Sequence, residues 1–149
     1  MSTTTAAPTD QPFIWTVRVY YEDTDTGGFV YYANYLKFFE RARTEWLRMA
    51  GVGQQRLLDE YGLQFVVAKV ECEYRRPARL DDLIEVDVRI VHSGRVFIVF
   101  GQSARRGDEV LATAMVKAGC IDSRRFAPAP MPTELLDAFR TLPGYRAKQ

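Results

Sequence analysis

Histidine occurs once in this 149-residue sequence and cysteine only twice. His92 lies at a turn, far along the chain from the acidic residues near the N-terminus, so it reads as a surface or structural residue rather than half of a catalytic triad. Cys72 and Cys120 sit in strand-like segments, isolated from each other and from the histidine. They read as small buried apolar residues of a reduced, intracellular protein. Long hydrophobic runs are also missing, and nothing approaches the ~20 residues that spanning a bilayer requires. Residues 1–12 have neither the basic cluster nor the apolar core of a signal peptide and are expected to form a disordered cytosolic tail. Charge of one sign is absent too: 20 Lys and Arg face 19 Asp and Glu, a formal net charge of +1. That leaves no broad electrostatic footprint for nucleic acid or a membrane surface. The expectation is a cytoplasmic protein that neither inserts into membranes nor binds nucleic acid.

What is present is enough for one packed domain, since 47% of the residues are hydrophobic. Phe13 to Tyr21 alternates Trp15, Val17 and Val19 with Thr16 and Arg18, the period of a half-buried strand. Gly27-Gly28 then permits a reversal. A long helix follows, starting between Tyr32 and Asn34, with Asn34 as its expected cap, and ending at Gly51. Tyr35, Phe38, Phe39, Ala42, Trp46 and Met49 recur every three or four residues and give it one broad aromatic face. Leu57, Leu58 and Tyr61 suggest a short second helix before Gly62. Four strand-like segments come next, Gln64–Tyr74, Leu83–Val91, Arg95–Ala104 and Val110–Ile121, separated by turn residues. Pro128, Pro130 and Pro132 end the sheet, and Thr133–Arg140 is expected to be helical. One strand, a long helix and four strands on short turns predict an α+β domain with a mostly antiparallel sheet, curved around the helix.

The chemistry is concentrated in the first turn. A strand end carrying Glu22, Asp23 and Asp25 is followed by two glycines and then by the helix start. A carboxylate can act as nucleophile or base, and the unpaired N–H groups of a helix's first turn can stabilise negative charge on a carbonyl oxygen. The combination points to acyl transfer. On the Asp-Thr-Asp pattern alone, a solvated turn with capping carboxylates accounts for it as well. A hard cation would also suit clustered carboxylates, but no further acidic group is spaced to complete its shell.

The run Tyr20-Tyr21-Glu22-Asp23-Thr24-Asp25-Thr26-Gly27-Gly28-Phe29-Val30-Tyr31, with Asn34-Tyr35-Leu36 and Phe39-Glu40-Arg41-Ala42-Arg43, resembles the hotdog-fold thioesterases of the 4-hydroxybenzoyl-CoA thioesterase type. It resembles most their Tol-Pal-associated acyl-CoA thioesterase subgroup, and Pro77-Ala78-Arg79-Leu80-Asp81-Asp82 fits that subgroup too. The likeness covers residues 13–125 and leaves 126–149 as a C-terminal tail with the short helix. It implies a five-stranded antiparallel sheet wrapped around a long central helix, a homodimer or tetramer with sites at the subunit interface, and neither metal nor bound cofactor. It implies that Asp25 attacks the thioester carbonyl or activates water, and that the backbone N–H of Tyr32 polarises that carbonyl. Asp23 matches a neighbouring acid that is not catalytic. Tyr32 stands where many members of the subgroup carry histidine and where aryl-CoA members carry tyrosine, which bears on the acyl group preferred. Tyr31 and Tyr35 are candidate acyl-pocket residues, and Arg95 is placed by the resemblance to meet coenzyme A phosphates. Glu40, a helical carboxylate of the kind some hotdog thioesterases use, is a secondary candidate whose expected role is an ion pair with Arg41 or Arg43.

The function implied is hydrolysis of short to medium aliphatic or aromatic acyl-CoA to free acid and CoA. A hotdog dehydratase is disfavoured because its motif needs a catalytic histidine that is missing here. The alternative from another class is a weakly catalytic or noncatalytic adaptor that binds acyl carrier protein or envelope-lipid enzymes.

Overall fold

The computed structural model describes residues 11–51 and 53–148, so most of the expected N-terminal tail lies outside the described residues. Strand β1 (Phe13–Arg18) is followed by a single 3-10 turn at Tyr21–Asp23, the long helix α1 (Asn34–Met49) and the short helix α2 (Gln54–Tyr61). Strands β2 (Leu63–Tyr74), β3 (Leu83–Ser93), β4 (Phe97–Arg106) and β5 (Glu109–Asp122) come next, then β6 (Ala127–Pro128), helix α3 (Thr133–Arg140) and β7 (Tyr145–Lys148). The main sheet runs β1-β3-β4-β5-β2, and each of these pairs is antiparallel. This is the five-stranded arrangement that the hotdog resemblance implies.

The aromatic face of α1 decides how the sheet closes. Phe38, Phe39, Ala42 and Trp46 are fully buried against Ile84, Val86, Val88 and Ile90 of β3 and the inward residues of β4 and β5. Each large side chain so covered is worth about 1.5–3 kcal/mol. Burial on this scale outweighs local propensity and explains why the sheet bends round the helix. Trp15 remains at the rim, 38% exposed, while Val17 and Val19 go into the core as the alternation predicts.

The segment after Phe126 forms the expected helix and is part of the packed core. Leu135, Phe139 and Leu142 are buried, and the Phe139 ring lies 5.0 Å from that of Trp46. The Trp46 indole Nε1 donates to the carbonyl of Pro143 at 2.9 Å. Gly144 then passes so close to β3 that an added Cβ would sit 2.3 Å from the Val88 carbonyl oxygen, and its φ of +83° suits glycine. β7 continues parallel to β3 beyond the point where β1 ends.

Of the two cysteines expected to be buried, Cys120 is and Cys72 is only half-buried, at the edge strand β2. Cys120 is buried, and burial pushes its thiol up to about 11; burial likewise raises the thiol of Cys72. The thiolate is the reactive species, so native protein at pH 8 should label with maleimide far more slowly than denatured protein. Equal rates in the two states would contradict this packing.

Candidate active site

After β1 the chain turns sharply, and the buried carboxylate of Asp23 holds the turn. Asp23 is 4% exposed. Its Oδ2 accepts the Tyr20 N–H at 2.9 Å and its Oδ1 accepts the Asn34 side-chain amide at 2.9 Å. Its own carbonyl accepts the Tyr31 N–H at 2.9 Å. One residue thus ties the end of β1, the loop and the first residue of α1 together. Asn34, expected as a helix cap, instead lies within the helix and spends its side chain on Asp23; the cap position is Ala33, without a side-chain cap bond. The pull of a buried carboxylate on an amide donor explains the difference.

Asp25 faces the other way and is exposed. Its Oδ1 accepts the N–H groups of Gly27 at 2.9 Å and Phe29 at 3.3 Å, while Oδ2 has no partner among the described residues. Its backbone closes the loop, donating to the Phe29 carbonyl at 2.8 Å and accepting from Gly28 at 3.1 Å. Gly28 has φ +84°, which a side chain would strain. Glu22, Asp23 and Asp25 therefore do not converge, because Asp23 turns inward and Asp25 folds over its own loop.

The helix start supplies the complementary groups. The N–H groups of Asn34, Tyr35 and Leu36 donate to the carbonyls of Tyr31, Tyr32 and Ala33 at 2.8, 3.3 and 3.1 Å. Those of Tyr32 and Ala33 have no acceptor among the described residues. They are orphan donors at the positive end of the helix dipole, suited to an anionic oxygen.

Rings crowd around this end. Tyr32 stands 4.8 Å from Tyr31 and edge-on to Tyr74 at 5.8 Å, and Tyr35 lies 5.7 Å from Tyr74. A cleft of about 270 Å³ opens among Val30, Tyr32, Tyr35, Tyr74, Arg75 and Arg76. Burial pushes the Tyr74 phenol up to about 12 and raises that of Tyr35, whose hydroxyl faces the Ala78 backbone without completing a hydrogen bond. Both are neutral near pH 7, in the form that can donate a proton to a hydrogen bond rather than act as a base. A larger hollow of 570 Å³, over Glu71, Asp87, Arg89 and Ser103, is on the outer face of the sheet, away from α1 and from this chemistry.

The Asp25 loop is also braced from the β2–β3 connection. Val30 donates to the Ala78 carbonyl at 2.8 Å, and the Arg79 guanidinium lies over the Phe29 ring at 5.3 Å. Asp82 fastens this corner, accepting the Arg79 N–H at 2.9 Å and the Arg106 guanidinium at 2.6 Å. Partial burial opposes the Asp82 charge, but these donors outweigh it and hold the carboxyl below its ordinary 3.8. Stabilisation from a lowered carboxyl pKa is complete above the unfolded value and lost as pH falls through the folded one. Asp82→Asn should therefore cost on the order of 1 kcal/mol at pH 7 and nearly nothing well below the folded pKa, read from urea melts. An equal cost at both pH values would rule out the ion pair.

The structure brings Asp25, Tyr31, Tyr32 and Tyr35 to one end of the domain but not the other two candidates. Glu40 is on α1 about 12 Å further along the axis, and it accepts from Thr44 at 2.9 Å rather than pairing with Arg41 or Arg43. Arg95 follows the far end of β3, on the order of 30 Å from the Asp25 corner of the same chain. Two residues were not singled out in the sequence. Asp23 looked like a bystander acid, and Tyr74 is visible only through the strand alternation that turns it inward beside Ala112.

Comparison with known proteins places this geometry in a family. The chain matches the thioesterase-like superfamily over residues 19–139. It is 45% identical over 133 residues to an acyl-CoA thioesterase YbgC of Haemophilus influenzae, covering 89% of this chain and 98% of that protein. It is 43% identical over 129 residues to an acyl-CoA thioester hydrolase YbgC of Escherichia coli, covering 86% and 96% of the two. Among solved structures, a probable thioesterase from Bartonella henselae superposes with a TM-score of 0.78 at 35% identity, covering 81% of this chain and 99% of that one. A 1,4-dihydroxy-2-naphthoyl-CoA thioesterase from Synechocystis shares the fold, with a TM-score of 0.79 at 22% identity over 86% and 95% of the two chains. With its sheet, its central helix and these matches over most of its length, the chain belongs to the thioesterase-like superfamily, on the branch of the hotdog acyl-CoA thioesterases.

Proposed function

We propose that this protein hydrolyses short to medium aliphatic or aromatic acyl-CoA thioesters to the free acid and CoA. The observation that carries this reading is a carboxylate whose second oxygen has no partner among the described residues, in the loop that leads into a helix start where the Tyr32 and Ala33 N–H groups have none either. The thioester carbonyl oxygen accepts the Tyr32 N–H. Asp25 Oδ2 then either attacks the carbonyl carbon or takes a proton from the water that does. The C–S bond breaks and the thiolate leaves as a good leaving group; in the first route a water then hydrolyses the Asp25 anhydride, releasing the acid and restoring the carboxylate. In both routes the water consumed supplies the proton that the thiolate takes up, and no strong general acid is required. One preorganised oxyanion donor is worth about 3 kcal/mol of barrier, so a site this small can sustain turnover. Tyr31, Tyr35 and the Tyr32 ring, in place of the subgroup's histidine, would hold the acyl group.

The edge of β2 opposite β5 has no partner among the described residues. A second copy added antiparallel along that edge would give a homodimer and would place the far end of its sheet, with the partner's Arg95, beside this chain's Asp25 corner. That arrangement lets Arg95 meet CoA phosphates despite its distance within one chain. Among the described residues no helix is long and apolar enough to cross a membrane, and the reading places the enzyme in the cytoplasm.

The direct test is thiol release from a panel of aliphatic and aryl acyl-CoA esters, with acyl carrier protein thioesters alongside. Release from CoA esters is expected. Release from carrier-protein thioesters alone would change the substrate, and no release from any thioester would overturn the reading.

A further inference from the structure

The core-facing side of β2 continues from Tyr74 through Cys72, Val70 and Val67, each paired with an inward residue of β5. Val70 and Val67 are nevertheless 40% and 52% exposed, and α1 packs on β1, β3 and β4 rather than on β2, so this apolar face of β2 stands as one wall of an open trough beside the helix. At its far end is a 190 Å³ cavity floored by Leu47, Phe65, Phe100 and Ala118, with Glu40 and Arg43 in its wall.

Arg43 is the unusual member. It is half-buried and has no carboxylate partner among the described residues. Its Nη1 donates to Gln102 Oε1 at 3.0 Å, and the guanidinium packs 5.9 Å from the Phe100 ring centroid. Gln102 is itself locked, donating to the carbonyls of Phe39 at 3.0 Å and Asp87 at 3.3 Å. The guanidinium is therefore held in place with donors to spare, and burial already weakens its hold on its proton. A fixed, half-buried donor above an apolar floor, in a wall it shares with Glu40, Thr44 and Gln54, calls for an acceptor on whatever fills the cavity. Glu40, one turn away, keeps the local charge near neutral and disfavours a carboxylate.

We propose that Arg43, with Glu40 beside it, is a specificity-determining residue that selects acyl groups carrying a neutral hydroxyl at the end remote from the thioester. The inference rests on reading the Asp25–Tyr32 end as the hydrolytic centre. Tyr32 and Arg43 are about 16 Å apart along the helix axis, and helical side chains lean back toward the N-terminus. The trough thus spans a medium-length chain, with the hydroxyl donating to Glu40 and accepting from Arg43.

The test pairs medium-chain acyl-CoA esters with and without a terminal hydroxyl, and adds the terminal carboxylate analogue. Binding is measured by calorimetry in the Asp25→Asn background, where the ester persists, and thiol release is measured with Asp25 intact. The hydroxylated ester should bind at least about tenfold more tightly than its plain partner, the scale of a hydrogen bond to a charged group. Arg43→Met should erase that ratio while leaving the plain ester bound. Glu40→Gln should admit the carboxylate ester that the native protein rejects, and this arm decides the matter if Arg43→Met fails to fold. Equal binding of the two esters, a preference that survives Arg43→Met, or no gain in Glu40→Gln would overturn the proposal and return the trough to packing against a partner subunit. Thiol release without hydroxyl preference sinks the selectivity alone, whereas hydroxyl-selective binding without thiol release sinks the hydrolase reading alone.

Discussion

Asp25→Asn should lower kcat for acyl-CoA hydrolysis by at least about a hundredfold, the lower range for loss of a positioned base or nucleophile, and leave KM within about a factor of two. The geometry explains why the loss should fall on kcat. The substituted asparagine would keep the oxygen that accepts the Gly27 and Phe29 N–H groups, so the loop should hold its shape. What disappears is the second, unpartnered oxygen, replaced by an amide that neither attacks a carbonyl nor accepts a proton. A hundredfold loss is about 2.7 kcal/mol of transition-state stabilisation. Steady-state kinetics on the best substrate of the panel, with a thermal melt to show the variant is folded, reads the result. Turnover within about threefold of native would remove Asp25 from the chemistry and leave the free N–H groups as a binding device.

Much of the fold was legible because burial imposes a period on the sequence. Phe38, Phe39, Ala42 and Trp46 announced the covered face of α1, and the alternating segments marked β2 to β5 to within two residues at each end. Two kinds of feature were hidden. Pairings between distant segments leave no local trace, so nothing around Tyr145 foretold a strand alongside β3. Side chains that choose between two partners are equally opaque: Asn34 looked like a cap until Asp23 was found to hold its amide. At the site, sequence spacing located Asp25 and the helix start, since both lie within a few residues of one turn. It did not show which turns share an end of the sheet: a full strand length separates Asp25 from Arg95 of the same chain, the residue that the resemblance assigns to the CoA phosphates. Tyr74 closes the aromatic cluster from a strand remote in sequence, and only the register of β2 on β5 turns it inward.

The second large effect concerns Asp23, whose role is architectural. Asp23→Ala should destabilise the protein by about 2–4 kcal/mol, because it strands the Tyr20 N–H and the Asn34 amide without acceptors. For a domain of this size that is a fall of roughly 10 °C in Tm. Activity should fall as well, since the same carboxylate sets the position of the helix start whose N–H groups are proposed to hold the thioester oxygen. A swap distinguishes these effects. In the double variant Asp23→Asn with Asn34→Asp, the new asparagine offers its oxygen to the Tyr20 N–H and its amide to the new aspartate, restoring the bond with its direction reversed. The relocated carboxylate sits in the first turn of α1, where a negative charge suits the helix dipole. Most of the lost Tm should return. Turnover should return less fully, because the swap moves the negative charge from Asp23 into the first turn of α1, where it competes with the oxyanion proposed to sit on the Tyr32 N–H. Calorimetric melts and kcat on one set of preparations read both effects. If the swap recovers neither, the Asp23–Asn34 bond does not hold the corner; if it recovers turnover as fully as stability, the charge at the helix start is irrelevant to the reaction and the oxyanion role of the Tyr32 N–H falls.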